Sequence, residues 1–171
     1  MEKIIEKMDS YNIFNYLLPG AIFDYMFEIL FHMKLVQGNI VENLFVYYFL
    51  GMILSRIGSI IIEPICKKIK WVKFADYGDF IKASEKDDMV KLLSEVNNTY
   101  RTLLSGGIVL IVFKIYFFIV QKLSISNDIN KIIAIVFIVV LFALSYRKQT
   151  KYVANRVNKV NEVNEEESKW V

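Results

Sequence analysis

Five ionisable side chains stand inside runs of apolar sequence: Asp24, Glu28, Arg56, Glu63 and Lys114. A charge at the centre of a bilayer costs roughly 2.5–3.5 kcal/mol even on the lenient insertion scale, so such groups must face one another, water or a partner. Gly20, Asp24, Glu28 and His32 recur every four residues and form one polar stripe along a helix. Arg56 and Glu63 lie two turns apart on a second helix, and Gly107, Lys114 and Gln121 share a face of a third. The chemistry open to this set is electrostatic. In an antiparallel hairpin Asp24 and Arg56 are expected at nearly the same depth, where an ion pair would fix helix register. The alternatives are an aqueous pathway through one subunit or a ring of subunits, and a contact with a partner's transmembrane helix. Lys114 is then the charge without an obvious partner, unless it shares Asp24 or Glu28 with Arg56. As a ring in an oligomer it would favour anions.

Other chemistries are excluded by count. The single cysteine, Cys66, allows no intrachain disulfide and no cysteine-based zinc or iron–sulfur site. The single histidine, His32, removes the usual catalytic dyads and reads as a packing or interfacial residue. The sequence has no GxSxG elbow, P-loop, GxGxxG or HExxH. No catalytic residue, cofactor or metal ligand is expected, and the protein reads as a non-enzyme. Cys66 stands beside Lys67 and Lys68, where S-acylation occurs, yet a passive interfacial cysteine is the simpler reading. A formal net charge of +3 is too mild to argue for direct nucleic-acid binding.

The elements that must carry these residues are transmembrane helices. Of 171 residues 55% are hydrophobic, and the mean hydropathy is +0.37. Soluble domains are usually about 45–50% apolar. Four stretches approach the roughly 20 apolar residues that cross a bilayer core, at about Asn12–Met33, Asn43–Ile65, Leu103–Leu123 and Ile132–Tyr146. The mixed-charge leader Met1–Ser10 and the absence of a small-residue cleavage site mark the first stretch as a retained span. The chain divides into a first transmembrane hairpin (1–65), a basic helical segment (66–102), a second transmembrane hairpin (103–146) and a C-terminal helix (147–171).

Basic residues set the orientation. Cys66–Thr102 carries eight lysines and arginines and the C-terminal tail six, whereas Lys34–Glu42 carries only Lys34 and Ser124–Asn130 none. Both termini and the middle segment are therefore expected in the cytoplasm of a bacterial inner membrane. Gln37-Gly38-Asn39 and Ser126-Asn127-Asp128 supply the outer turns. From Asp87 onward Met89, Leu92, Leu93, Val96, Tyr100 and Leu103 form a helical stripe that no proline separates from the third span. The fourth span is expected to continue through a narrow edge of Val153, Val157, Val160 and Val163, a helix–helix seam. Pro64 should end or kink the second span, and Pro19-Gly20 can break the first. After Pro64, Lys67, Lys68, Lys70, Trp71 and Lys73, with Phe74, Tyr77 and Phe80, read as an interfacial surface for anionic lipid or a cytosolic partner; a plain juxtamembrane linker is the alternative. Gly51, Ser55 and Ser59, with Gly106 and Gly107, are small residues that let helices approach, within one subunit or between two.

The runs NYLLPGAIF (Asn15–Phe23) and Ser55–Thr102 resemble small four-span bacterial membrane proteins of phage-defence and mobile-element type, over roughly the first two-thirds of the chain. That resemblance implies a membrane effector or sensor in antiviral defence. The reading is an all-α polytopic protein with four transmembrane helices and cytoplasmic helical extensions. Its expected function is non-enzymatic: it oligomerises and permeabilises or depolarises the inner membrane when triggered. The alternative is a membrane-anchored subunit that recruits or regulates a cytosolic protein, and a third is a small ion channel or transporter. Its partners are expected to be membrane lipids, further copies of itself and possible cytosolic proteins.

Overall fold

Residues 13–168 are described by a computed structural model, and every regular element among them is a helix. A π-helical turn, Ile13–Leu17, leads directly into α1 (Leu18–Phe31). The next helix, α2 (Ile40–Ile57), continues through a second π-helical turn, Gly58–Ile62, into α3 (Glu63–Lys68). Then follow α4 (Tyr77–Lys86), α5 (Asp88–Leu123) and α6 (Asn127–Ser168). The leader Met1–Ser10 and Lys169 lie outside the described residues, as do the side chains of Val160 and Val163.

Three helical stretches are long and apolar enough to cross a membrane: Ile40–Lys68, Asp88–Leu123 and Asn127–Lys159. The 14 residues of α1 extend about 21 Å at 1.5 Å per residue, short of a hydrocarbon core of about 30 Å. Pro19 does not break this helix. It follows directly on the π-helical turn Ile13–Leu17, whose wider winding accommodates a residue that has no N–H to donate.

Local chemistry explains where the helices begin and end. His32 takes left-handed backbone (φ 54°) and its N–H closes on the Glu28 carbonyl at 2.9 Å, which ends α1. Asn39 opens α2 with a reciprocal cap: Glu42 N–H donates to Asn39 Oδ1 at 3.0 Å, and Asn39 N–H donates to Glu42 Oε2 at 3.3 Å. Asp87 accepts from Met89 N–H at 2.8 Å and starts α5, which then runs uninterrupted to the left-handed Ser124. Pro64 is accommodated rather than disruptive. It follows a π-helical turn in which Glu63 N–H reaches back to the Gly58 carbonyl.

The core is built by α1, α2 and α5. Phe23 and Phe27 of α1 meet Leu54 of α2 and Leu110 of α5, all buried. Phe31 and Phe117 extend the cluster toward the loop end, with ring centroids 5.1 Å apart. The tightest approach is between α1 and α2. A methyl group at Gly20 would collide with the Tyr47 carbonyl, and one at Gly51 with the Tyr16 carbonyl. Ser55 and Ser59 are buried in the same region, and Gly106 packs beside Leu54 and Phe23. Gly107 is not a packing position within the subunit: a side chain there would meet nothing within 4 Å. Against this core α6 is peripheral. Only 11% of its most apolar stretch is buried, against 39% for Ile40–Lys68.

Candidate functional site

Glu63 at the start of α3 meets Arg101 from within α5 and Lys148 from within α6 at the basic end of the helix core; the turns His32–Asn39 and Ser124–Ser126 lie at the opposite, loop end. Glu63, at the start of α3, is buried. Its Oε1 accepts from Lys67 Nζ at 2.8 Å and lies 4.0 Å from Lys148 Nζ, and its Oε2 accepts from the Arg101 guanidinium. Each neighbour arrives on a different path: Lys67 is one turn along α3, Arg101 comes from α5 and Lys148 from α6. Lys148 Nζ also donates to the Ser59 carbonyl at 2.6 Å and to Ser59 Oγ at 2.8 Å. Gly58 lets α5 come this close, because a Cβ there would lie 3.3 Å from both Arg101 Cγ and the Arg101 carbonyl oxygen. A buried carboxylate is tolerable only when paired and hydrogen-bonded as this one is.

Beside the cluster is a cavity of about 490 Å³. Ser55, Arg56, Ser59 and Glu63 form one wall, and Ser94, Asn98 and Arg101 of α5 form another. Phe74, Tyr77 and Phe80 fold over it, and Gln149 and Tyr152 of α6 complete it. Arg56 reaches this space without an ion-pair partner among the described residues, and the buried Nε of Arg101 has no hydrogen-bond acceptor. The site is strongly cationic, enclosed by aromatic and hydroxyl side chains, and open on one side.

The expected pairing of Asp24 with Arg56 is not formed. The register is set by Gly20 against Tyr47 and Gly51, and by Gly51 against Tyr16. That crossing leaves Asp24 on the loop side, facing Tyr47, and Arg56 on the basic side. Asp24 is buried, and its Oδ1 has no hydrogen-bond partner. Glu28 instead pairs with Lys34 at 3.5 Å near the loop end. Lys114 is also displaced from the expected midplane. Because α1 and α5 run parallel with Phe31 level with Phe117, Lys114 Nζ donates to the Leu30 carbonyl at 3.2 Å and lies 5.2 Å from the Phe31 ring centroid. Asp24, Glu28 and Lys114 therefore lie toward the loop end while Arg56 and Glu63 line one cavity, and among the described residues the five form no single network.

The interfacial segment also divides. Lys68, Lys70, Trp71 and Lys73 are exposed, Tyr77 and Phe80 are half-buried along the cavity, and Phe74 lines its edge while staying exposed, with Lys67 Nζ 4.0 Å from its ring centroid. Lys148, Ser59 as its acceptor, and Tyr152 carry the site without having been singled out for it. The available signal was a lysine two residues past the fourth apolar run, level with Glu63 once the helices are aligned. The chain matches no protein-family model, no curated protein and no solved structure.

Proposed function

We propose that the protein is a non-enzymatic effector of the bacterial inner membrane that oligomerises and permeabilises or depolarises the bilayer when triggered. In this reading α1, lengthened by the turn before it, is a fourth span, and both termini face the cytoplasm. The observation that carries it is how little of the apolar helix surface one subunit covers: 17% of the most apolar stretch of α5 and 11% of that of α6 are buried. Such helices need lipid or further copies of the chain against them, and a loosely held α6 is suited to rearrangement between the two. The antiviral role is the part of this proposal drawn solely from the resemblance of Asn15–Phe23 and Ser55–Thr102 to defence-associated membrane proteins. Purified protein reconstituted in liposomes tests the reading by dye release and membrane potential, with oligomeric state measured in parallel. A protein that assembles but leaves both signals flat at every concentration overturns it.

A second reading, a membrane anchor that recruits a cytosolic protein, is favoured by one feature. Met89, Leu92, Leu93, Val96 and Tyr100 form an exposed apolar stripe on the part of α5 that precedes its apolar run. Charge substitutions along this stripe should abolish co-purification of a partner under that reading and leave leakage unchanged under the first.

A further inference from the structure

We propose that the cavity at the basic end is a binding site for a phosphate ester. The inference goes beyond the effector reading and does not depend on it. Three cations, Lys67, Arg101 and Lys148, meet the single carboxylate of Glu63, and a fourth, Arg56, lines the same cavity. A carboxylate ligand would leave much of that excess standing. A phosphate monoester carries nearly two negative charges at neutral pH and has three strong acceptor oxygens.

The donors are suited to it. Arg56 lines the cavity with its guanidinium committed to no carboxylate, and Arg101 has spent one edge on Glu63 while its buried Nε lacks an acceptor. Planar guanidinium groups bind phosphate through paired N–H donors. Ser55 and Ser59 add hydroxyls on the same wall. The volume, about 490 Å³, lies within the range of small-molecule sites. Tyr77, Phe80 and Tyr152 give the rest of the ester an aromatic enclosure. A ligand held here would touch α2, α5 and α6 together, adding a bridge to the weakly packed last helix.

A soluble phosphate ester and a phosphomonoester lipid headgroup share this chemistry, and one experiment separates them. Full-length protein in maltoside micelles is titrated with adenosine 5′-monophosphate, with inorganic phosphate, and with phosphatidic acid against phosphatidylcholine, following thermal stability and binding heat. Saturable binding of the nucleotide or phosphate assigns a soluble ligand; binding of phosphatidic acid alone assigns a headgroup. In either case Arg56→Gln should weaken binding about tenfold or more, as loss of a charge-assisted contact implies. Ser94→Glu, which adds a negative charge to the opposite wall, should weaken it by a similar factor, and Lys70→Gln on the exposed surface should not. Absence of binding by all three anionic probes, or binding that both cavity variants retain in full, overturns the proposal. Because the assay reads binding in detergent, its failure is distinct from failure to permeabilise membranes.

Discussion

Lys148 of α6 donates to both the backbone carbonyl and the hydroxyl of Ser59, 89 residues earlier in the chain. The carbonyl it takes lies within the π-helical turn Gly58–Ile62, where the wider winding leaves room for an acceptor outside the helix. The same ammonium stands 4.0 Å from Glu63, so one side chain ties the peripheral helix to both the backbone and the buried carboxylate.

Removing that tie should loosen α6 selectively. Lys148→Met is expected to increase protease cleavage within α6 while the α1–α2–α5 core keeps its protection, as a low-stability unit opens before the whole. Equal protection of α6 in the variant and the parent would show that the tie is dispensable.

Glu63 has three cationic neighbours, Lys67, Arg101 and Lys148. Glu63→Leu leaves the Arg101 and Lys148 charges uncompensated and should destabilise the fold by up to about 3–5 kcal/mol, the range for breaking a buried pair. A double-mutant cycle with Arg101→Leu, read by unfolding in detergent, should give a coupling well above 1 kcal/mol.

Asp24 and Arg56 should behave as independent sites. Their substitutions to Asn and Gln are expected to add within about 0.5 kcal/mol, because the glycine crossing holds them on opposite sides. Asp24→Asn combined with Tyr47→Phe should depart from additivity, since those two groups face each other. Strong Asp24–Arg56 coupling would mean that the register described here is wrong.

The glycines make a steric test. Gly51→Ala forces a methyl group against the Tyr16 carbonyl and should cost about 1–3 kcal/mol, the usual range for overpacking. Gly107→Ala meets open space and should be neutral or slightly stabilising, because alanine is the better helix former. If Gly107→Ala instead reduces oligomer formation, the open face at that position is a contact between subunits.

Lys114 offers a further check. Its ammonium lies at the C-terminal end of α1, on the Leu30 carbonyl, so Lys114→Glu places a negative charge at the negative end of that helix. A loss of about 0.3–1 kcal/mol is expected, with the folded protein still present. Loss of the protein from the membrane would indicate a deeper role in packing than one carbonyl contact supports.

Much of the helical framework was legible in the sequence because it is specified locally. The apolar stripe from Met89 to Leu103 predicted one continuous helix, and α5 is that helix. The reading of four spans went further than the three long apolar helices, because hydropathy counted Asn12–Met33 as one run, whereas its first part is the π-helical turn Ile13–Leu17 and α1 itself holds 14 residues. Depth was the harder quantity. Span midpoints predicted Asp24 opposite Arg56, whereas the contact of Gly20 with Tyr47 and Gly51 shifts the two helices along each other. Hydropathy does not contain that shift, since it depends on which backbones touch. The same limit hid Lys148, whose acceptor is defined only once α6 is aligned with α2. The aromatic segment after Pro64 shows a related limit: amphipathic aromatics suit a headgroup layer and a cavity wall equally, and Phe74, Tyr77 and Phe80 line the cavity while Phe74 stays exposed.

The peripheral place of α6 has a consequence for biogenesis. Phe23, Phe27, Leu54 and Leu110 close the aromatic core using only helices that leave the ribosome before Asn127. Synthesis can thus complete a three-helix nucleus while the last helix is still being made. That helix then docks onto a finished surface, and the contact of Lys148 with Ser59 is among the final bonds to close.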